Sequence, residues 1–105
     1  MITKKHIRFI QSQLARDGFQ PGPVDGIYGT KTEAALIQAG VEPDFPKKRK
    51  LARYIQGLAE LHGIESGKPD GYWGPQTEFA FDQLYEKLEL DREPRIWRPE
   101  DIEAN

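Results

Sequence analysis

A chain of 105 residues with 37% hydrophobic, 10% aromatic and 30% charged residues is long enough for one folded core and too apolar to remain disordered. Lys and Arg number 15 against 17 Asp and Glu, and this balance excludes the basic field of a general nucleic-acid binder. Without cysteine, disulfides and thiolate metal sites are excluded, and no stretch reaches the roughly 20 apolar residues of a membrane-spanning helix.

The first predicted element is a helix that begins after Thr3, a favoured N-cap, and ends at Gly18. Its apolar residues recur at steps of three and four along one face, at Ile7, Ile10 and Leu14. No apolar run of signal-peptide length precedes Gln11, so we expect the chain to be made in the cytoplasm without a standard secretion signal.

A glycine-rich loop, Asp25-Gly26-Ile27-Tyr28-Gly29, follows, and a second helix is predicted near residues 30 to 39. Aspartate can accept backbone N–H groups two residues on, and glycine can take a positive φ, so the chain is expected to turn sharply here. The helix begins either with Gly29 as N-cap or with a capping box from Thr30 to Glu33.

The next helix opens at Pro46, a favoured first-turn residue, and ends at Gly63. Its apolar positions are Leu51, Tyr54, Ile55, Leu58 and Leu61. A second glycine-rich loop, Asp70-Gly71-Tyr72-Trp73-Gly74, leads into a fourth predicted helix from Pro75 to about Leu88.

The third and fourth elements repeat the first two at an offset of 45 residues without gaps. Over residues 7–36 and 52–81, eleven of thirty positions are identical, against about two expected by chance. The identical pairs are Arg8/Arg53, Ile10/Ile55, Gln11/Gln56, Gly18/Gly63, Gly22/Gly67, Asp25/Asp70, Gly26/Gly71, Gly29/Gly74, Thr32/Thr77, Glu33/Glu78 and Ala35/Ala80.

Neither pair of helices has enough apolar surface to fold alone, so the two copies should share one core. We therefore predict an all-α single domain over residues 1–90, a small helical bundle of two tandem helix–loop–helix pseudo-repeats, at about 3–40 and 46–88. Residues 91–105 contain two prolines, mixed charge and no periodicity, and are interpreted as a linker or tail.

The first copy closely resembles the peptidoglycan-binding domain family of bacterial and phage wall hydrolases. The resemblance lies in Ile10-Gln11-x-x-Leu14, then Gly18-Phe19, then the segment from Pro23 to Leu36; residues 55–81 look like a diverged copy. It implies a small three-helix-type bundle that holds a lytic domain on its substrate, as the N-terminal module of a phage endolysin or bacterial hydrolase. The tail at 94–101 resembles the junction to such a catalytic domain.

Candidate ligand-binding residues lie in the two loops. Tyr28 and Trp73 occupy matching positions, where an aromatic ring either stacks on a sugar or covers the small core. Asp25 and Asp70 either hold their loops through backbone hydrogen bonds or contact the ligand directly. Tyr72 completes the ligand-binding set, and four glycines are assigned structural roles in the loops: Gly26, Gly29, Gly71 and Gly74.

The sequence also offers the two glutamates, the two histidines and one basic cluster as functional residues, and it supports each of them less strongly. Glu33 and Glu78 could suggest a two-carboxylate glycosidase, but equivalent positions in a repeat argue against different acid and base roles. His6 and His62 accompany no metal-ligand spacing, so neither a metal nor a cofactor is expected. The basic cluster, from Lys47 to Lys50 with Arg53, is either a solvated face or a weak attraction for wall carboxylates.

The function predicted is non-catalytic binding of peptidoglycan at the bacterial cell wall by a monomer that binds neither nucleic acid nor membrane. Two alternatives stay open: a protein-interaction module that has lost wall binding, and a small muramidase. They differ from the main hypothesis in predicting no retention on purified wall in the first case and lysis of wall suspensions in the second.

Overall fold

A computed structural model describes residues 2–92, with side chains over residues 2–88. Four helices make up the fold: α1 at Lys4–Arg16, α2 at Thr30–Gln38, α3 at Lys47–Leu61 and α4 at Pro75–Arg92. No β-strand occurs between residues 2 and 92, which confirms the predicted all-α class and the two helix–loop–helix repeats. The resemblance implies a three-helix-type bundle, whereas residues 2–92 of the structure form four helices, because each of the two repeats contributes two.

The helix starts follow the predicted local signals with small shifts. Thr3 is the N-cap of α1. Gly29 is the N-cap of α2, with its carbonyl accepting the Glu33 N–H at 3.0 Å, so the first of the two predicted starts is the one the chain adopts. Pro46 is the N-cap of α3 rather than its first residue, and α4 continues past Leu88 to Arg92.

The first helix of each copy ends with the same backbone turn. Gly18 and Gly63 have φ of 96° and 70°, a region that residues with a side chain rarely enter. The following N–H returns to the carbonyl five residues back, from Phe19 to Leu14 at 2.9 Å and from Ile64 to Ala59 at 2.8 Å. These are Schellman ends, and the glycine stops predicted from the sequence are confirmed.

One cluster of buried apolar side chains draws on all four helices, and α3 contacts each of the other three. Aromatic rings join α1 to α4, with the Phe9 and Phe81 centroids 5.2 Å apart at an interplanar angle of 82°. The fully buried apolar members of the cluster, at 1% exposure or less, are Ile10, Leu14, Ala35, Leu36, Leu51, Ile55, Ala59, Ala80, Phe81 and Leu84.

Leu61 departs from the predicted apolar face of α3. Its side chain is 82% exposed, because α3 ends there and no neighbouring helix packs over that position among residues 2–92. The single-domain boundary at residue 90 stays a prediction, and the linker assigned to residues 91–105 lies outside the described side chains and, from residue 93, outside the described backbone.

Candidate functional site

The first loop folds as its sequence predicts. Asp25 Oδ1 accepts the Ile27 N–H at 2.9 Å, and Gly26 takes φ 79°. A Cβ on Gly26 would lie 3.0 Å from Lys4 Cβ and 3.1 Å from the Lys4 carbonyl oxygen. This glycine is therefore required both by the turn and by the close approach of the loop to the start of α1.

The second loop repeats this geometry. Asp70 Oδ1 accepts the Tyr72 N–H at 3.0 Å, and Gly71 has φ 83°. The pKa of Asp70 is lowered, chiefly by the backbone hydrogen bond from Tyr72, against a smaller effect of desolvation, with help from Gln56 and the Arg49 charge. Each aspartate thus holds its loop through a backbone hydrogen bond. Because both side chains are exposed, the rest of each carboxylate faces solvent.

A buried glutamine beneath each loop is the feature that sequence reasoning missed. Gln11 is 1% exposed, and its Oε1 accepts the N–H of Gly26 at 2.9 Å and of Asp25 at 3.1 Å. Its Nε2 donates to the Ile27 carbonyl at 2.9 Å and to Thr32 Oγ1 at 3.1 Å. One side chain thus satisfies the backbone of the loop and links it to the first turn of α2.

Gln56 does the same for the second loop. Its Oε1 accepts the Gly71 N–H at 2.8 Å, and its Nε2 donates to the Tyr72 carbonyl and to Thr77 Oγ1, each at 3.1 Å. The signal was present in the sequence, since a polar residue at the same place in both apolar helix faces indicates a buried hydrogen-bonding role. Thr32 and Thr77, also identical in the two copies, complete the network.

The polar edges of the two candidate aromatic residues contact a glutamate of their own repeat. The Tyr28 hydroxyl donates to Glu33 Oε1 at 3.0 Å, and Trp73 Nε1 donates to Glu78 Oε1 at 2.7 Å. Both rings are half-buried and pack against the core cluster. Burial, followed by the hydrogen bond and charge of Glu33, raises the pKa of Tyr28, so its hydroxyl remains a donor.

Tyr72 is the most exposed aromatic residue of the loops, at 61%. The guanidinium carbon of Arg49 lies 4.3 Å from the Tyr72 ring centroid and 3.8 Å from that of Phe45, and Arg49 donates to the Asp70 carbonyl at 2.6 Å. A basic side chain therefore stacks on one aromatic face and fixes the loop at the same time. Ile27 holds the matching position in the first loop and is 59% exposed.

Each glutamate also contacts the opposite repeat. His6, 5% exposed, accepts the Thr3 N–H on Nδ1 at 2.8 Å, so its Nε2 carries the proton toward Glu78 Oε2 at 3.3 Å. Glu33 receives Lys50 Nζ at 3.8 Å instead. Both glutamates therefore have a structural partner in the opposite repeat, although His6 and Lys50 do not hold equivalent positions.

The basic cluster is largely engaged within the chain. Lys50 is buried and donates to the Phe45 carbonyl, Arg49 is held as described, and Lys47 Nζ lies 5.3 Å from the Tyr28 ring centroid. Lys48 is exposed. Fewer side chains of this basic cluster are therefore available to attract wall carboxylates than the sequence suggests.

Two shallow concavities meet at Gly74 and Pro75, where the second loop enters α4. One is lined by Tyr72 together with Asp70, and the other by Trp73 together with His6 and Glu78. Between residues 2 and 92 no group of three or more His, Asp or Glu residues is placed to hold a metal ion. Nor is any helix in that range both long and apolar enough to cross a membrane.

These features define a class: an all-α module of two helix–loop–helix repeats, each with an aspartate–glycine loop fastened by a buried glutamine. Residues 3–39, the whole first repeat, match the family model described as a peptidoglycan binding domain. The resemblance inferred from the sequence is confirmed over that repeat, and the match supports peptidoglycan binding at the level of the family. Comparisons with curated proteins and with solved structures gave no significant match.

Proposed function

We propose that this protein binds peptidoglycan without cleaving it, and that the second loop, Asp70–Gly74, is the primary contact. The observation that carries this assignment is the difference between the loops. Tyr72 presents an exposed ring beside the half-buried Trp73, whereas the first loop has Ile27 and Tyr28 in those positions. A flat exposed ring with polar groups around it suits the faces of sugar rings.

The surroundings of the second loop supply the polar groups that orient such a ligand. Asp70 is exposed on one side of Gly74 and Pro75, and Glu78 lies on the other side, held by Trp73 and His6. Trp73 contributes mainly the apolar surface of its ring, because the N–H at the ring edge already donates to Glu78. Tyr28 and Asp25 are proposed as the weaker, secondary contact in the first repeat.

We propose further that the module anchors a lytic enzyme on its substrate, in a phage endolysin or a bacterial cell-wall hydrolase. Weak contacts are sufficient for that task, because tethering raises the local concentration of the enzyme on a repeating polymer. Residues 1–90 would form the binding domain and residues 91–105 the connection to the catalytic domain. The protein would act as a monomer in the wall or periplasm.

Sedimentation with purified sacculi tests the proposal. Tyr72→Ala removes the exposed ring and is expected to lower the pelleted fraction severalfold, while Ile27→Ala is the matched control in the other loop. Because ring stacking is not ionic, the loss should persist at both low and high salt. Equal pelleting of the two variants would reject the second loop as the contact, and failure of the wild type to pellet would reject wall binding.

The same samples distinguish binding from cleavage. The turbidity of a wall suspension is expected to stay constant with the protein alone, since each glutamate accepts a hydrogen bond from the aromatic residue at the equivalent position of its own repeat. A fall in turbidity that Glu78→Gln abolishes would instead support the muramidase alternative.

A further inference from the structure

A groove of about 350 Å³ lies between the two repeats, away from both loops, where the end of α2 meets α3. Its apolar walls come from Phe19, Val41, Leu58 and the exposed Leu61. This volume is at the lower end of the range typical of small-molecule sites.

The groove lies where the second helices of the two repeats differ. In the second repeat, Tyr85 on α4 covers Phe9 of α1, with ring centroids 5.9 Å apart. The residue 45 positions before Tyr85 is Gly40, and the residue 45 positions after Phe9 is Tyr54; both line the groove. The short α2 of nine residues ends at Gln38, so no side chain fills the space that Tyr85 fills in the other copy.

The floor of the groove contains a polar atom without a partner. The Tyr54 hydroxyl is buried and has no hydrogen-bond partner among residues 2–88. Burial, and secondarily the Asp17 carboxylate, raises the pKa of Tyr54, so the hydroxyl keeps its proton and remains a donor. A buried donor of this kind is unfavourable unless an acceptor reaches it.

Opposite charges line the groove. The exposed Asp17 follows the last residue of α1, and Arg53 on α3 is partly exposed, with its Nε 4.0 Å from Glu42 Oε1. Gly57 also lines the groove, one turn after Arg53 within α3, where glycine is unfavourable for a helix, and its missing side chain leaves the groove open.

We propose that this groove binds the stem peptide of peptidoglycan, a short chain of small apolar side chains that carries an amine and free carboxylates. The assignment rests on the proposed function and adds a second contact to it. The methyl groups pack on the apolar walls, Asp17 attracts the amine, Arg53 attracts a carboxylate, and the Tyr54 hydroxyl donates to a peptide carbonyl. The apolar walls match the methyl groups of a peptide better than the many hydroxyl groups of a glycan.

The test is a titration of the full chain with the free tetrapeptide L-alanyl-γ-D-glutamyl-diaminopimelyl-D-alanine, followed by amide NMR shifts. The expected shifts centre on Gly40 and Gly57, and an N-acetylglucosamine tetramer should leave these resonances in place. Gly57→Leu fills the groove and is expected to weaken peptide binding at least tenfold. A Cβ at this position would meet the movable end of Arg53 at 3.0 Å, so the variant should fold. Gln83→Leu, on an exposed face of α4, is the matched control.

A second variant tests the charge assignment independently of the shape of the groove. Asp17→Asn should weaken binding of the tetrapeptide severalfold, and should have no effect on a tetrapeptide whose free amines are acetylated. Absence of shifts at Gly40 and Gly57, or equal affinity of Gly57→Leu and the wild type, would overturn the inference. If sacculi still sediment the wild type in that case, wall binding stands and the groove assignment alone fails.

Discussion

His6 and Glu78 lie 72 positions apart in the chain, yet His6 Nε2 and Glu78 Oε2 are 3.3 Å apart. The contact joins the first turn of α1 in one repeat to the first turn of α4 in the other, and the His6 ring packs edge-on against Phe81 with centroids 4.4 Å apart. The same carboxylate accepts the Trp73 N–H, so the candidate wall-binding loop is tied to the opposite repeat.

This contact predicts a specific pH dependence of stability. Although desolvation opposes it, the hydrogen bonds from Trp73 and His6 lower the pKa of Glu78 below its ordinary value of 4.5. A lowered pKa contributes stability that is fully present above that ordinary value and is lost as pH falls through the lower pKa of the folded chain.

Glu78→Gln should therefore be less stable than the wild type by roughly 1 kcal/mol at pH 7, after allowance for solvent screening, and the difference should vanish in strong acid. Thermal melting from pH 7 to pH 3 measures it. Glu86→Gln, at an exposed position of the same helix, controls for the loss of a carboxylate on α4. A difference that does not change with pH would contradict the assignment.

The buried glutamines predict a contrast between two positions of α1. Gln11→Leu removes the partner of two backbone N–H groups and one carbonyl, and is expected to lower the free energy of unfolding by about 2–4 kcal/mol. Gln13→Leu should be neutral or stabilising, since Gln13 is also buried, its Oε1 has no partner among residues 2–88, and the second repeat has Leu58 there. Urea denaturation of both variants measures these free energies of unfolding. Equal decreases for Gln11→Leu and Gln13→Leu would refute the proposed role of Gln11.

Substitution by serine is expected to change the free energy of unfolding much more at Gly26 than at Gly29. Gly26→Ser places a side chain at φ 79° against Lys4 and should lower the free energy of unfolding by about 1–3 kcal/mol. Gly29→Ser should change it by less than about 0.5 kcal/mol, because Gly29 has an extended N-cap conformation with open space around it and serine is a favoured N-cap. Thermal melting of the two variants measures the difference. If Gly26→Ser were as stable as the wild type, the turn would be able to relax around a side chain.

Arg49 is expected to stabilise the second loop mainly through its planar guanidinium group, which stacks on Phe45 and Tyr72. Arg49→Lys keeps the charge but loses the stacking on Phe45 and Tyr72, and should destabilise the chain by about 1–2 kcal/mol while broadening the Tyr72 ring resonances in NMR spectra. Arg53→Lys is the matched control on the same helix, where the ion pair with Glu42 is long and partly exposed. Equal effects of the two changes would mean that charge alone accounts for the role of Arg49.

The sequence by itself determined the features that depend on neighbours a few residues apart. The Schellman ends at Gly18 and Gly63, the turns at Asp25 and Asp70 and the four helices all follow from hydrogen bonds within about five positions, so local residue types are sufficient to predict them.

The tertiary structure decided what depends on residues brought together from afar. Gln11 reaches a loop 14 to 16 positions away, His6 meets Glu78 across the repeats, and the groove depends on Gly40 standing where Tyr85 stands in the other copy. The repeat alignment indicates which positions are equivalent, but only packing shows which are buried, which are exposed and which leave space. The Gln11 contact is set by packing within the first repeat, and the other two relations are set by the contact between the two repeats.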